Sequence, residues 1–95
     1  MISTGMKHRI KREMSSEKAT IWIGKNGVGQ IISEIDKQLD KKKTVKIKIL
    51  KSALENERVE DIISRTERET SSVLIDTRGH TFILYKRRKG KTAPP

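Results

Sequence analysis

The 95-residue chain contains no cysteine, which excludes a disulfide scaffold and a thiolate metal site. Aromatic residues make up only 3% of it, so the core has to be mostly aliphatic. The longest uninterrupted apolar run, Phe82 to Tyr85, is far shorter than the roughly 20 residues that span a bilayer. The basic N-terminus has no apolar stretch behind it, as a secretory signal would. These absences predict a soluble, cytoplasmic protein with no membrane partner.

Positive charge and isoleucine are what the chain has in abundance. Twenty-two Lys and Arg stand against 12 Asp and Glu, which gives a net charge of +10 and a pI near 10.2. Such an excess favours an acidic partner, above all a nucleic acid, although solubility alone could also explain it. Thirteen isoleucines favour a fold that contains a sheet. Residues 55–69 are the acidic exception, and we expect this segment to face away from the partner.

Hydrophobic periodicity divides the chain into seven elements. Apolar residues at helical spacing predict helices, and alternating residues predict strands. Asn56 is the expected N-cap of the third helix, and Gly79 suits a tight hairpin between the last two strands. The predicted helices span 5–15, 28–40 and 56–69, and the predicted strands span 19–23, 44–50, 72–77 and 80–86.

The order α-β-α-β-α-β-β predicts a two-layer α/β sandwich with one mixed four-stranded sheet. Each strand-helix-strand step should join parallel strands through a right-handed crossover, and the last two strands should form an antiparallel hairpin. Residues 1–86 form a single domain in this interpretation. The basic tail, residues 87–95, has no pattern and is expected to be disordered.

Gly24-Lys25-Asn26-Gly27 lies between a predicted strand and an amphipathic helix. Two glycines allow close backbone approach, and the start of the following helix offers free N–H groups that favour a phosphate. A GxxG loop of this kind can clamp a nucleic-acid backbone, as in KH domains. Alone, a G-x-x-G sequence is often only a helix-entry turn. It is neither a Walker A loop nor a dinucleotide fingerprint, because the required Lys-Ser/Thr ending and glycine spacing are missing.

The segment Ile23–Val28, the helix after it and the strand Val45–Lys48 resemble the core of the CRM (chloroplast RNA splicing and ribosome maturation) domain. This domain occurs as stand-alone YhbY-like proteins in prokaryotes. Gly79 to Arg87 resembles the closing strand of that family, with Lys86 where the family usually has Arg. The resemblance implies a sheet like that of the C-terminal domain of translation initiation factor three, in the order 1-2-4-3 with strand 4 antiparallel.

The resemblance also implies a partner and a function. It points to a non-catalytic protein that binds structured RNA, in particular ribosomal RNA or a precursor of the large ribosomal subunit, without a cofactor and as a monomer. The loop residues carry the RNA contact by resemblance, and cations of the first helix, the hairpin turn and the last strand extend it. The predicted RNA-binding residues are Gly24, Lys25, Asn26, Gly27, Lys7, Arg9, Lys11, Arg12, Arg78, Lys86, Arg87 and Arg88.

Several residues have a structural interpretation beside a functional one. Trp22 could stack on a base, but a tryptophan at such a position more often covers apolar surface beneath a helix. Lys46 and Lys48 could simply solvate the open face of the sheet. The two histidines, and the acidic set Glu34, Asp36 and Asp40, lack the spacing of a metal or catalytic site, so no metal is predicted.

Three alternative functions stay open on the sequence. The first is an Alba-like dimeric chromatin protein, which combines a similar fold with high basicity and would prefer duplex DNA. The second is a nuclease or other RNA-modifying enzyme, which would need clustered acids, bases or metal ligands. The third is a protein-interaction module of a ribosomal assembly, which would not bind naked RNA.

Overall fold

The computed structural model describes residues 3–86, which form three α-helices and a four-stranded sheet joined by turns. The predicted α-β-α-β-α-β-β order is confirmed. Two single-turn 3-10 helices, at Gly29–Ile31 and Lys51–Glu55, were not predicted. The elements in chain order are α1 (Thr4–Met14), β1 (Ile21–Ile23), α2 (Ile32–Lys42), β2 (Thr44–Ile49), α3 (Val59–Thr70), β3 (Val73–Arg78) and β4 (Thr81–Tyr85).

The sheet has the strand order β1-β2-β4-β3. Strand β1 is parallel to β2, while β4 is antiparallel to both of its neighbours. The mixed sheet and the 1-2-4-3 order are therefore confirmed. The first three strands run in the same direction, so the loop after β1, the end of β2 and the β3–β4 turn lie at one end of the sheet. Backbone bonds show this directly: Leu50 N–H donates to the Ile23 carbonyl at 2.8 Å, and Ile49 N–H donates to the His80 carbonyl at 2.7 Å.

One face of the sheet carries the main core. Isoleucines on alternating positions of β1 and β2 pack there with β4 and with the apolar stripes of α2 and α3. Ile23, Ile35, Ile47, Ile62 and Phe82 have no exposed surface at all. Each such side chain contributes on the order of 2 kcal/mol through removal of apolar surface from water. This face is the two-layer α/β sandwich that the pattern predicts.

Helix α1 packs on the opposite face of the sheet. Its side chain Ile10 is 5% exposed, as is Ile83 of β4, and both stand apart from the main core. At its C-terminal end, the Lys46 ammonium group donates to the carbonyls of Met14 and Glu17 at 3.1 and 2.8 Å. Ser3 caps the other end, where its hydroxyl accepts from Met6 N–H at 3.1 Å. The helix therefore covers part of a face that would otherwise be open.

The predicted start of the third helix is wrong. Asn56 ends a 3-10 turn, and α3 begins three residues later behind Arg58, which is extended and provides no side-chain cap. The turn buries Ala53 against the core, and this packing outweighs the capping preference of Asn56. Helix α2 also begins later than predicted, because the chain first makes a 3-10 turn at Gly29–Ile31.

The β3–β4 hairpin contains a bulge that the sequence pattern did not indicate. Leu74 pairs with Leu84 and Asp76 with Ile83, so one extra residue is inserted in β3. The bulge brings Asp76 onto the α1 face, where it lies opposite Ile83. Gly79 has a φ of +61° in the two-residue turn, as the hairpin prediction requires. Among residues 3–86, no helix is long and apolar enough to cross a membrane.

Candidate nucleic-acid interface

The Gly24–Gly27 segment is an exposed turn at the end of β1. Gly27 N–H donates to the Gly24 carbonyl at 2.9 Å and closes the turn. Gly27 has a φ of +76°, a conformation that side chains with a Cβ rarely adopt. Lys25 and Asn26 at its tip are exposed, and within residues 3–86 their N–H groups donate to no backbone carbonyl. The loop therefore presents a cation, an amide and free N–H donors to solvent.

The residue after the turn holds the loop onto the protein. Val28 is fully buried in the main core. It is followed by the 3-10 turn and then by α2, so a continuous helical segment begins directly behind the loop. In the described part of the chain, no side chain caps the N-terminus of the 3-10 turn or of α2. Orphan N–H groups at such a start favour an anion.

The surroundings of the loop are mixed in charge. Glu57 Oε1 lies 3.8 Å from the position that a Cβ atom on Gly27 would occupy. An Arg65 guanidinium nitrogen lies 3.4 Å from the position that a Cβ atom on Gly29 would occupy. The guanidinium also pairs with Glu69 at 3.1 Å. The acidic segment that was expected to face away thus reaches the loop on one side. It does not cover Lys25 or Asn26, which stay exposed.

Arg78 and the α1 cations come together on the face opposite the main core. Lys11 and Arg78 line a shallow groove with Lys46 and Thr81, and Lys11 Nζ lies 3.7 Å from Asp76 Oδ1. Arg9 and Arg12 are exposed, whereas Lys7 is half-buried. Of the predicted residues, Lys11 and Arg78 thus border one groove, and Lys11 already has a carboxylate partner.

Lys86 lies at the other end of the sheet. Its N–H donates to the Lys43 carbonyl at 2.9 Å, which places it beside the C-terminal end of α2. Its ammonium group lies 3.2 Å from Asp36 Oδ1, and its side chain is 15% exposed. The structure therefore separates Lys86 from the loop by the length of β2, about 20 Å for six residues. The predicted contacts Arg87 and Arg88, and the tail 87–95, lie outside the described residues.

The two strand lysines on the α1 face differ in their surroundings. Lys46 is half-buried and bonded to the carbonyls at the end of α1, so it has a structural role and does not simply solvate the sheet. Lys48, two residues on, is exposed. Alternation along a strand predicted the face of both residues, but it could not predict which one a helix would cover.

Trp22 lies on the same face and is 53% exposed, so it does not cover apolar surface beneath a helix. Alternation along β1 turns it away from the main core, but it could not predict which part of the second face α1 would cover. No group of three or more His, Cys, Asp or Glu in residues 3–86 could hold a metal ion.

A family comparison agrees with this architecture. The family model for the CRS1 / YhbY (CRM) domain matches residues 2–86, nearly the whole chain. The chain belongs to this family. The resemblance seen in the loop and the closing strand is thereby confirmed, and membership of the CRM family does not favour the Alba-like alternative.

Two known proteins are similar to this CRM chain. Probable RNA-binding protein MJ0652 of Methanocaldococcus jannaschii is 27% identical over 85 residues, which cover 90% of this chain and 63% of the relative. The chain thus spans about three-fifths of that relative's length. The solution structure of SAV1595 from Staphylococcus aureus, for which RNA binding is proposed, matches the fold with a TM-score of 0.75 at 20% sequence identity. The match covers 94% of this chain and 92% of SAV1595. This second likeness supports the fold alone.

Proposed function

We propose that this CRM protein binds structured RNA through its Gly24–Gly27 loop and performs no chemistry on it. The observation that supports this is the exposed turn, where Gly27 holds a positive φ while Lys25 and Asn26 face solvent ahead of a helix start. A sugar-phosphate backbone suits this site, because its phosphate can accept from free N–H groups beside a lysine. The net charge of +10 favours the same partner.

The basic surface of α1 and Arg78 would extend the contact. Arg9, Arg12 and Arg78 are exposed and can meet further phosphates. Lys11 and Lys86 would have to exchange Asp76 and Asp36 for phosphate oxygens, so we expect them to contribute less. Because three aromatic residues in all are too few for a sequence-reading sheet, phosphate contacts should dominate affinity.

A matched pair of charge reversals tests the loop. Lys25 and Lys18 are both exposed and flank the same strand, β1, at its two ends. Lys25→Asp should weaken binding to a labelled fragment of large-subunit ribosomal RNA by more than about tenfold, whereas Lys18→Asp should change it less than about threefold. Fluorescence anisotropy measures both affinities. Equal losses in the two variants would show that charge alone, and not the loop, carries the binding.

Ribosomal RNA, or a precursor of the large subunit, is the partner we propose. Binding to the ribosomal fragment should exceed binding to a transfer RNA and to duplex DNA of equal length at the same salt concentration. Sedimentation of the free protein should give a monomer. Preference for duplex DNA together with a dimer would contradict the proposal, and cleavage of labelled RNA in the presence of Mg²⁺ would contradict the absence of catalysis.

A further inference from the structure

We propose that Trp22 forms a stacking site for an unpaired RNA base, beside the loop that seats the backbone. This inference rests on the proposed RNA binding and adds a second, chemically different contact to it. Ile21 and Ile23, its neighbours in β1, are 5% and 0% exposed and face the main core. Trp22 between them faces the other way and keeps 53% of its surface exposed. An indole ring in this position offers a flat apolar surface to a ligand.

Helix α1 leaves this part of the sheet uncovered. The helix contacts β3, to which the Lys11–Asp76 ion pair joins it, and Lys46 of β2 donates to carbonyls at its C-terminal end. Strand β1 is the edge strand on the other side of the sheet. The exposure of Trp22 is therefore built into the fold, because the element that covers this face is anchored elsewhere.

A second partly exposed apolar side chain lies beside the first glycine of the loop. Leu50 follows the buried Ile49, is 38% exposed, and is hydrogen bonded through its N–H to the Ile23 carbonyl. Its Cδ1 atom lies 3.7 Å from the point where a Cβ on Gly24 would stand. Apolar surface thus continues from the tryptophan strand to the first glycine of the loop. A nucleotide whose phosphate is held at the loop could turn its base onto this surface.

The charges around Trp22 fit a nucleic acid. The cross-strand register places Lys48 next to Trp22, then Thr81, then Arg78. With strands about 4.8 Å apart, this row spans about 14 Å from Trp22 to Arg78. Both cations are exposed, and the one acidic residue on the neighbouring row, Asp76, is paired with Lys11. The row therefore links the loop to the cationic groove beside α1 without an unpaired carboxylate on it.

Stacking on one tryptophan requires no particular base, because every base has a π-face. This agrees with the scarcity of aromatic residues, which excludes an extended reading platform. The site would select unpaired nucleotides next to a helical segment, and not a sequence. The expected specificity is therefore for RNA structure.

The single tryptophan makes a direct experiment possible, because fluorescence excited at the long-wavelength edge of indole absorption, where Tyr85 does not absorb, reports Trp22 alone. The probes are an RNA hairpin with a single-stranded extension and the same hairpin with a blunt end. Titration with the extended probe should quench the fluorescence, and titration with the blunt probe should quench it much less. Trp22→Ala should weaken binding of the extended probe by about fivefold or more and leave the blunt probe nearly unchanged. Trp22→Phe should retain most of the affinity.

The controls separate this inference from the proposed function. Val73→Ala, a truncation of another exposed apolar residue, should not affect either probe, and circular dichroism checks that all variants are folded. Unchanged fluorescence at saturating RNA, with equal affinities for wild type and Trp22→Ala, would overturn the stacking site but leave RNA binding intact. Failure of the wild type to bind either probe would overturn the proposed function itself. Fluorescence that changes on dilution without RNA would assign the face to a second copy of the chain and overturn the inference.

Discussion

At the scale of single residues, backbone conformation distinguishes residues of the same type. The two glycines that bracket the loop have different tasks, because only Gly27 has a positive φ. Lys43 and Ser71 also have a positive φ, of 67° and 54°, although neither is a glycine. Both follow the C-terminal end of a helix, and their N–H groups close it by donating to Leu39 and Glu67 carbonyls. At these two positions, the hydrogen bonds that end the helix outweigh the cost of a left-handed backbone conformation in a residue with a side chain.

Gly27→Ala should reduce the free energy of unfolding by about 1 kcal/mol, because alanine resists the left-handed conformation. Gly24→Ala is the matched control. A Cβ there would meet Ser52 Oγ at 3.6 Å and Leu50 Cδ1 at 3.7 Å, which are ordinary contacts. The control should leave stability unchanged or slightly higher, since alanine has less freedom in the unfolded chain. Urea denaturation measures both. Equal destabilisation would show that φ at residue 27 does not set the requirement for glycine.

Buried hydroxyl groups are another feature of single residues. Thr66 and Thr70 each donate to a carbonyl one turn earlier, at 2.7 Å, and Thr70 Oγ1 lies 2.7 Å from Ser72 Oγ. Thr66 lies on the buried side of α3 with Ile62 and Ile63. Ser72 lies just before β3 and could not be recognised as buried, because its partner Thr70 is on a different element. Local hydrogen bonds of this kind let hydroxyl groups be buried in the core without the free-energy cost of an unsatisfied polar group.

At the scale of the elements, Lys46 is what connects β2 to α1. One of the two bonds from its ammonium group reaches the Met14 carbonyl, which also accepts from Glu17 N–H at 3.1 Å, and the other reaches the Glu17 carbonyl beyond the end of the helix. Thr44 adds a weaker contact, with its hydroxyl 3.6 Å from Met14 Sδ. These contacts join residues about 30 positions apart. Helix α1 is therefore held by a few polar bonds and the small apolar contact of Ile10.

Lys46→Met should loosen α1 without unfolding the sheet. The variant loses two charge-assisted hydrogen bonds, which solvent partly screens. The free energy of opening that protects the α1 amides should therefore fall by about 1–2 kcal/mol, and their exchange should become roughly tenfold faster. Hydrogen exchange followed by mass spectrometry measures this. Lys48→Met makes the same change of charge on the same face and should leave α1 exchange unaltered. If both variants, or neither, accelerate exchange, the bonds of Lys46 do not anchor the helix.

At the scale of the whole molecule, charge and fold together define the proposed interface. The sheet brings the loop and Arg78 to the same end, and α1 adds its cations from the face opposite the core. The remaining basic set, Lys41–Lys43 and Lys86, lies at the far end, where Asp36 pairs with Lys86. The described residues thus carry basic groups at both ends of the sheet.

Salt dependence tests the charge of the whole interface. The exposed cations around the loop and the α1 face, namely Lys25, Lys48, Arg9, Arg12 and Arg78, correspond to about five phosphate contacts. The logarithm of the RNA affinity should then fall with the logarithm of salt concentration with a slope of roughly −4. Lys25→Asp should flatten this slope by about one unit, and Lys18→Asp should not change it. A wild-type slope shallower than about −1 would contradict binding through phosphates.

Sequence periodicity alone determined the element order, the buried faces of β1 and β2 and the position of the glycine loop, because these depend on residues close together in the chain. The family resemblance supplied the strand order. The error at Asn56 arose where the packing of Ala53 in the core outweighed a local capping preference. Only the tertiary structure decided that Lys46 is bonded while Lys48 and Trp22 are exposed, because the strand pattern is the same for all three and the difference depends on where a helix distant in sequence docks.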